Sequence, residues 1–154
     1  MSLQLLKAGT ADALTLVGVS KHAFESDVEV GASELCGPPG YKSLQFYTKM
    51  ARMNCLYKLI DDDGLTVGGA VLFVKDREMN VGRIFVSPEY FRKGYGIFMM
   101  QQIEAMFPEV QTFTLDTPIW NVRTNTFYQK LGYVEVRHDK DFVYYEKRAL
   151  RAGN

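Results

Sequence analysis

Residues 83–97 read Arg83-Ile84-Phe85-Val86-Ser87-Pro88-Glu89-Tyr90-Phe91-Arg92-Lys93-Gly94-Tyr95-Gly96-Ile97. The run 83–86 predicts a buried strand, and Pro88 opens a loop that carries Arg92, Lys93, Gly94 and Gly96. Apolar residues at Ile97, Met100, Ile103 and Phe107 then recur at helical spacing until Pro108 ends the helix. A basic, glycine-rich loop feeding a helix N-terminus is a device for holding phosphate. Its backbone N–H groups lack partners, the helix dipole is positive at that end, and glycine lets a ligand approach the main chain. The same Gly-x-Gly is also what a plain tight turn would use, so the ligand must be sought elsewhere in the chain.

Working outward, the size of the chain (154 residues) predicts one domain, 1–154, large enough to bury about two-thirds of its unfolded surface. Eighteen basic residues balance eighteen acidic ones, which argues against a nucleic-acid partner, for which a basic excess is expected. The local charge at Arg92-Lys93 therefore suits a small anionic ligand. Two cysteines, Cys36 and Cys55, without CxxC or metal-ligand spacing predict reduced thiols and no metal. No apolar run nears the roughly 20 residues of a membrane span, and no signal peptide is legible, so a soluble cytoplasmic domain with no membrane partner is expected.

The order of elements follows from periodicity and turn chemistry. An edge strand is expected over 3–7, a helix over 11–24 with Thr10 as its N-cap, and a second helix over 41–52 after the Cys36-Gly37-Pro38-Pro39-Gly40 break. Strands over 54–60, 65–75 and 79–86 follow, the first two joined across Asp61-Asp62-Asp63-Gly64. That acidic triplet lacks the alternate spacing of a calcium loop and reads as a hairpin turn. Beyond the central helix come a strand over 110–116, a loop at 117–120, and a helix over 121–131 stopped by Gly132. A hairpin of 133–138 with 142–147 completes the order β-α-α-β-β-β-α-β-α-β-β.

Phosphate loops differ in their spacing. A Walker loop needs Gly-Lys-Ser/Thr, whereas here Lys93 precedes Gly94 and no Ser or Thr follows. A dinucleotide fingerprint needs a third glycine inside a parallel βαβ unit, and the strands before this loop form a meander. The arrangement Val86-x-Pro88-Glu89-Tyr90 followed by Lys93-Gly94-x-Gly96 resembles the acetyl-CoA motif of the GNAT superfamily of N-acetyltransferases. The segment from Asn121 to Phe127-Tyr128-Gln129-Lys130-Leu131-Gly132-Tyr133 is similar to the family's Asn…Tyr-x-x-x-Gly-Phe helix and turn. The element order matches that family over nearly the whole chain.

The resemblance implies a GNAT-like α/β fold, a mostly antiparallel twisted sheet of about seven strands flanked by four helices. It implies an opening between strands 84–86 and 113–116, with acetyl-CoA as cosubstrate. Its pantetheine would pair with backbone groups of Phe85 and Val86. Its pyrophosphate would lie on the N–H groups of Arg92, Lys93, Gly94, Tyr95, Gly96 and Ile97. Asn121 would bind the pantetheine, or serve as an ordinary N-cap. Phe91 stands where the family usually has Arg or Gln, and Arg92 is one place late to supply that charge.

The implied activity is transfer of the acetyl group to a primary amine of a small molecule or peptide by direct attack. The N–H of Val86 would stabilise the oxyanion, and Tyr128 would protonate the departing thiolate. Asp116 is either the base, a cation-binding group, or a turn-capping residue before Pro118. Glu25, Glu29 and Glu34 are further, weaker base candidates, while His22 reads as an exposed or packed helix residue. Phe24, Pro38-Pro39-Gly40-Tyr41, Asp116 and Trp120 would frame the acceptor, although core packing explains Phe24 and Trp120 equally well. Gly82 and Arg83 stand where the family often has a glutamate. A non-catalytic acyl-CoA-binding sensor of the same fold is therefore the alternative. A homodimer through the last strand is a further implication of the family.

Overall fold

A computed structural model describes residues 2–32 and 36–149. Seven strands form one sheet in the order β1-β2-β3-β4-β5-β7-β6. They are β1 (Gln4–Lys7), β2 (Leu56–Ile60), β3 (Thr66–Lys75), β4 (Glu78–Val86), β5 (Thr112–Pro118), β6 (Val134–His138) and β7 (Phe142–Arg148). Four helices flank it: α1 (Ala13–Glu25), α2 (Leu44–Arg52), α3 (Tyr95–Met106) and α4 (Val122–Lys130). Every neighbouring pair is antiparallel except β4 with β5. The expected element order is the observed one.

The ends of the elements show which local forces won. Thr10 does not cap α1. Residues Thr10–Asp12 make a turn of 3-10 helix, and the Asp12 carboxylate accepts the Gly9 N–H at 2.9 Å while the Gly9 carbonyl accepts the Asp12 N–H. The second helix begins at Leu44, three residues later than expected, because Ser43 caps it by accepting the Phe46 N–H at 3.1 Å. In the β2–β3 turn, one Asp61 oxygen accepts both the Asp63 and Leu65 N–H groups at 3.0 Å. Asp139 does the same for Asp141 and Phe142 at 2.8 Å in the last hairpin. These aspartates are turn formers.

Helices lie on both faces of the sheet. Beneath α3 and α4, Tyr95, Met99, Met100, Ile103 and Tyr128 pack on Val67, Leu72, Met79, Val81, Phe113, Leu115 and Tyr145. The buried stripe of α3 is set by Tyr95, Met99, Met100 and Ile103, and Ile97 is left 44% exposed, so the helix phase differs from the expected one. Beneath α1 and α2, Leu16, Ala23, Tyr47, Met50 and Ala51 pack on Leu56, Val71 and Phe85.

One irregularity sets the function of the sheet. Val71 pairs with Arg83, but Leu72 pairs with Val81, so Gly82 is an extra residue on β4. A bulge of this kind bends its strand and reverses which side chains face which layer. Val81 accordingly joins the α3/α4 core, whereas Phe85 joins the α1/α2 core. A β-carbon on Gly82 would stand 2.7 Å from Phe73 Cε2 and 3.2 Å from the Val71 carbonyl. Beyond the bulge β4 leaves β5. Their parallel register covers only Glu78↔Thr112, Met79↔Phe113 and Asn80↔Thr114. The remaining halves of the two strands diverge into a V-shaped gap.

Gly68 and Gly69 on β3 hold the other side of this segment close. A β-carbon at Gly68 would lie 2.5 Å from the Phe85 carbonyl oxygen, and one at Gly69 would lie 2.8 Å from Leu16 Cδ2 of α1. Gly68→Ala is expected to force β3 and β4 apart and to cost about 2 kcal/mol or more, because backbone cannot step aside as a side chain can. Urea denaturation measures this, and an unchanged midpoint would contradict it.

Candidate active site

The gap is lined first by backbone. The Ser87 N–H donates to the Val67 carbonyl at 2.8 Å, and the register continues as Val86↔Gly68 and Phe85↔Gly69. Successive residues of a strand turn their N–H and C=O groups to opposite edges. Phe85 and Ser87 therefore face β3, while Ile84 and Val86 present theirs to the gap. Of the two residues expected to pair with a ligand strand, Val86 has the orientation for it. Ile84 shares that orientation and was not legible from the motif, because the register depends on the bulge.

Below the gap the chain turns through Pro88–Tyr90 into the loop and α3. Arg92 (φ 64°) and Gly94 (φ 81°) both adopt left-handed backbone. This conformation folds the loop back and aims successive N–H groups inward, and glycine takes it without strain. No side chain caps α3. The first hydrogen bond of the helix runs from the Phe98 N–H to the Gly94 carbonyl at 2.9 Å. The N–H groups of Tyr95, Gly96 and Ile97 precede it and have no partner within the helix. Helix α3 begins at Tyr95, two residues before the expected start, so Gly96 belongs to its first turn. A β-carbon at Gly96 would be 3.1 Å from the Phe127 ring, which is how α4 comes to lie against this turn. Tyr90 stacks on Tyr95 at 5.3 Å and supports the loop from beneath, with the Lys93 ammonium 5.7 Å from the Tyr90 ring. Arg92 and Lys93 are exposed.

Helix α4 carries the second motif. Asn121 is 2% exposed and caps the helix, its Oδ1 accepting the Thr124 N–H at 3.1 Å. The capping role is thus observed, and Asp27 of the segment after α1 lies close enough for Asn121 to oppose the burial-driven rise of its carboxyl pKa. Thr124 Oγ1 lies 2.6 Å from Thr117 Oγ1 and locks α4 to β5. Tyr128 is 7% exposed, packed edge-on to Phe127 and Tyr133. Burial, with the negative charge of Asp116 as a lesser cause, raises its phenol far above the ordinary value, so it keeps its proton at any physiological pH.

Asp116 stands between buried Leu115 and Thr117 on β5, so its side chain points to the opposite face from α3 and α4. That face also carries Arg83 and Phe85 across the gap. Although the Asp116 side chain is exposed, desolvation around the carboxylate raises its pKa, the nearby Asp139 adds to the rise, and Arg137 opposes it. Asp139 is itself bound to Tyr144, whose hydroxyl donates to its Oδ2 at 3.0 Å, and the Arg137 guanidinium lies 3.6 Å over the Tyr144 ring. One wall of the gap is thus acidic and aromatic.

The opposite wall is α1 and the turn before α2. Phe24 packs on Tyr41 and Phe85 at 6.2 and 5.8 Å, and the Tyr41 hydroxyl donates to Glu25 Oε2 at 2.9 Å. Tyr41 is buried, so it frames this wall through packing. Trp120 is half-buried, and a β-carbon on Gly31 would stand 3.5 Å from its ring. Glu25 also pairs with Lys21 at 3.3 Å, His22 pairs with Glu89 at 3.3 Å on the surface, and Glu29 is exposed. Glu34 lies outside the described residues. Arg83 does not occupy a base position. Its Nη2 donates to the Pro39 carbonyl at 2.8 Å and its guanidinium lies 4.3 Å over Phe46, so it pins the 38–41 turn to the sheet.

Among the described residues no group of three or more His, Cys, Asp or Glu could hold a metal ion, and no helix is long and apolar enough to cross a membrane.

A parallel pair of strands that splays apart above an uncapped helix N-terminus defines a class, and the comparisons agree. The family model of the acetyltransferase (GNAT) domain matches residues 54–135, and the chain belongs to that family. The fold is similar to that of the PaiA N-acetyltransferase of Thermoplasma acidophilum in complex with coenzyme A. The TM-score is 0.84 at 18% identity over 97% of this chain and 100% of that one. It is also similar to the ribosomal-protein-S18-alanine N-acetyltransferase of Escherichia coli, with a TM-score of 0.73 at 15% identity over 99% and 97% of the two chains. The spermidine/spermine N-acetyltransferase SpeG of Vibrio cholerae follows at a TM-score of 0.70 and 16% identity, over 95% and 93%. Among curated proteins, the uncharacterized protein YrkN of Bacillus subtilis (strain 168) is 34% identical over 74 residues, which are 46% of this chain and 40% of YrkN.

Loss of the Arg83 tether has a defined consequence. Arg83→Ala is expected to cost about 1 kcal/mol or more, since it removes hydrogen bonds to the Pro39 carbonyl and, at 3.4 Å, the Tyr47 hydroxyl, together with the cation stacked on Phe46. It should also speed hydrogen exchange at the Tyr41 amide, whose turn bond to the Pro38 carbonyl (3.0 Å) it supports. Unchanged exchange at Tyr41 would contradict this role.

Proposed function

We propose that this protein is an acetyl-CoA-dependent N-acetyltransferase that acetylates a primary amine of a small molecule or peptide by direct attack. The observation that carries the reading is the gap itself: outward-facing backbone of Ile84 and Val86 leads down to the uncapped first turn of α3. Acetyl-CoA would supply an acetyl thioester on an arm that extends like an added strand, with its pyrophosphate at the helix N-terminus. Loop residues 92–97 would hold the phosphates chiefly through main-chain N–H groups, so Phe91 does not bar binding.

Each side chain then has a role matched to its surroundings. The Val86 N–H would polarise the thioester carbonyl. Tyr128 keeps its proton, which suits a donor to the leaving thiolate and excludes it as a base at neutral pH. Asp116 would take a proton from the amine or bind its positive charge, helped by Asp139 on the same wall. The aromatic and acidic lining supports a cationic acceptor, and the amine substrates in the names of SpeG and the S18-alanine enzyme agree with that class. The last strand of the chain, β7, is paired on both sides by β5 and β6 and so is not the expected dimer edge. The exposed strand β6, at the end of the sheet, would be the edge for a second copy in a homodimer. The absence of a carboxylate at Gly82-Arg83 favours a second reading, a non-catalytic acyl-CoA sensor.

Calorimetry with acetyl-CoA followed by a thiol-release screen over a panel of primary amines separates these outcomes. Binding with thiol release from at least one amine is expected. Binding without release from any amine selects the sensor, and no binding overturns both. Tyr128→Phe should lower kcat at least tenfold with acetyl-CoA affinity unchanged. The wild-type rate should show no decline from phenol ionisation through about pH 10.

A further inference from the structure

We propose that Arg123, on the first turn of α4, provides the pyrophosphate of the bound coenzyme with the positive charge that position 91 lacks. The inference rests on the coenzyme reading above. Phe91 replaces the arginine or glutamine with which this family's loop usually opens, and the structure shows what the phenyl ring does instead. The Arg123 guanidinium lies 4.5 Å over the Phe91 ring. Stacking fixes the plane of a guanidinium without using its N–H donors, which all project from its edge. Phe91 is therefore a platform on which a cation from another element rests.

One donor of Arg123 is under-used. Its Nη2 lies 3.5 Å from Asp27 Oδ1, an ion pair by distance, yet that buried atom makes no hydrogen bond among the described residues. The geometry, rather than the distance, decides: a guanidinium N–H misaligned with its carboxylate still seeks an acceptor. The helix face gives the direction in which one would arrive. Phe127 is four residues beyond Arg123, hence on the same face of α4, and it packs on Gly96 in the first turn of α3. Arg123 and Phe127 thus both face the phosphate loop, Arg123 at its opening residue and Phe127 at the helix start. Asp27, in the segment after α1, competes for the same guanidinium. Its carboxyl, raised by burial, is the weaker partner beside a doubly charged pyrophosphate.

A purely structural Arg123 would bridge α4 to the segment after α1 through Asp27, and two variants tell the roles apart. Arg123→Ala removes the cation and the bridge. Asp27→Asn removes the ion pair and keeps the cation. Calorimetry with coenzyme A and with 3′-dephospho-coenzyme A, on variants whose thermal melting confirms folding, provides the readout. Arg123→Ala is expected to weaken both ligands about tenfold, Arg123→Lys to restore part of that loss, and Asp27→Asn to match or exceed wild-type affinity. Equal weakening by Asp27→Asn and Arg123→Ala would overturn the proposal in favour of the bridge. Loss confined to coenzyme A would move the contact to the 3′-phosphate and overturn the pyrophosphate assignment. Wild-type protein that binds neither ligand would overturn the coenzyme reading, whereas wild-type binding with an unaffected Arg123→Ala would overturn this inference alone.

Discussion

The structure depends on one extra residue in β4. Two parallel strands normally stay about 4.8 Å apart along their length, and a sheet so closed would have no room for a ligand between β4 and β5. Gly82 breaks the ladder with β3, bends β4, and ends pairing with β5 after Asn80 and Thr114. The same residue shifts the alternation of side chains, which sends Phe85 to the α1/α2 layer and leaves the polar main chain of Ile84 and Val86 on the open edge. A position where a β-carbon would meet the Phe73 ring at 2.7 Å and the Val71 carbonyl at 3.2 Å is held by the residue without a side chain.

The gap then divides the chemistry between two faces. On the α3/α4 face lie an N-terminus with unpartnered N–H groups and a phenol whose proton is secured by burial. Both suit an anionic ligand and a leaving group that needs a proton. On the other face lie Asp116, Asp139 and Tyr144, opposite an aromatic wall of Phe24, Tyr41 and Phe85, and these suit a cation. The two sets face each other only because β4 and β5 separate. The sheet supplies the geometry, and the helices supply charge and dielectric.

Much of this was legible in the sequence, for physical reasons. Turns that need left-handed backbone or side-chain acceptors show themselves as Asp-Asp-Asp-Gly or Lys-Gly-Tyr-Gly, and strand and helix periods follow from burial on one face. Hence the element order and the glycine-rich loop before α3 were readable. Boundaries were not, where a cap outcompeted propensity: Ser43 delays α2, and Asp12 with Gly9 displaces Thr10. The bulge was invisible because Gly82 has no pattern of its own, and it looked like the place of a missing carboxylate. Arg83 stood in the same place, and beyond the bulge it reaches Pro39 and Phe46. Asn121 matched both a cap and a ligand contact, and the Thr124 N–H bond to its Oδ1 shows the cap. Arg123 gave no signal, since its significance lies in a ring thirty-two positions away in a different element.

In the proposed complex, the splayed edge of β4 and the first turn of α3 together receive one thioester ligand. Residue-resolved amide hydrogen exchange, with and without saturating acetyl-CoA, tests it most directly. The account predicts strong slowing at Val86 together with Tyr95, Gly96 and Ile97, and little change at the Phe85 amide, which already faces β3. Unchanged exchange at both Val86 and the α3 turn, or protection confined to another face of the sheet, would contradict it.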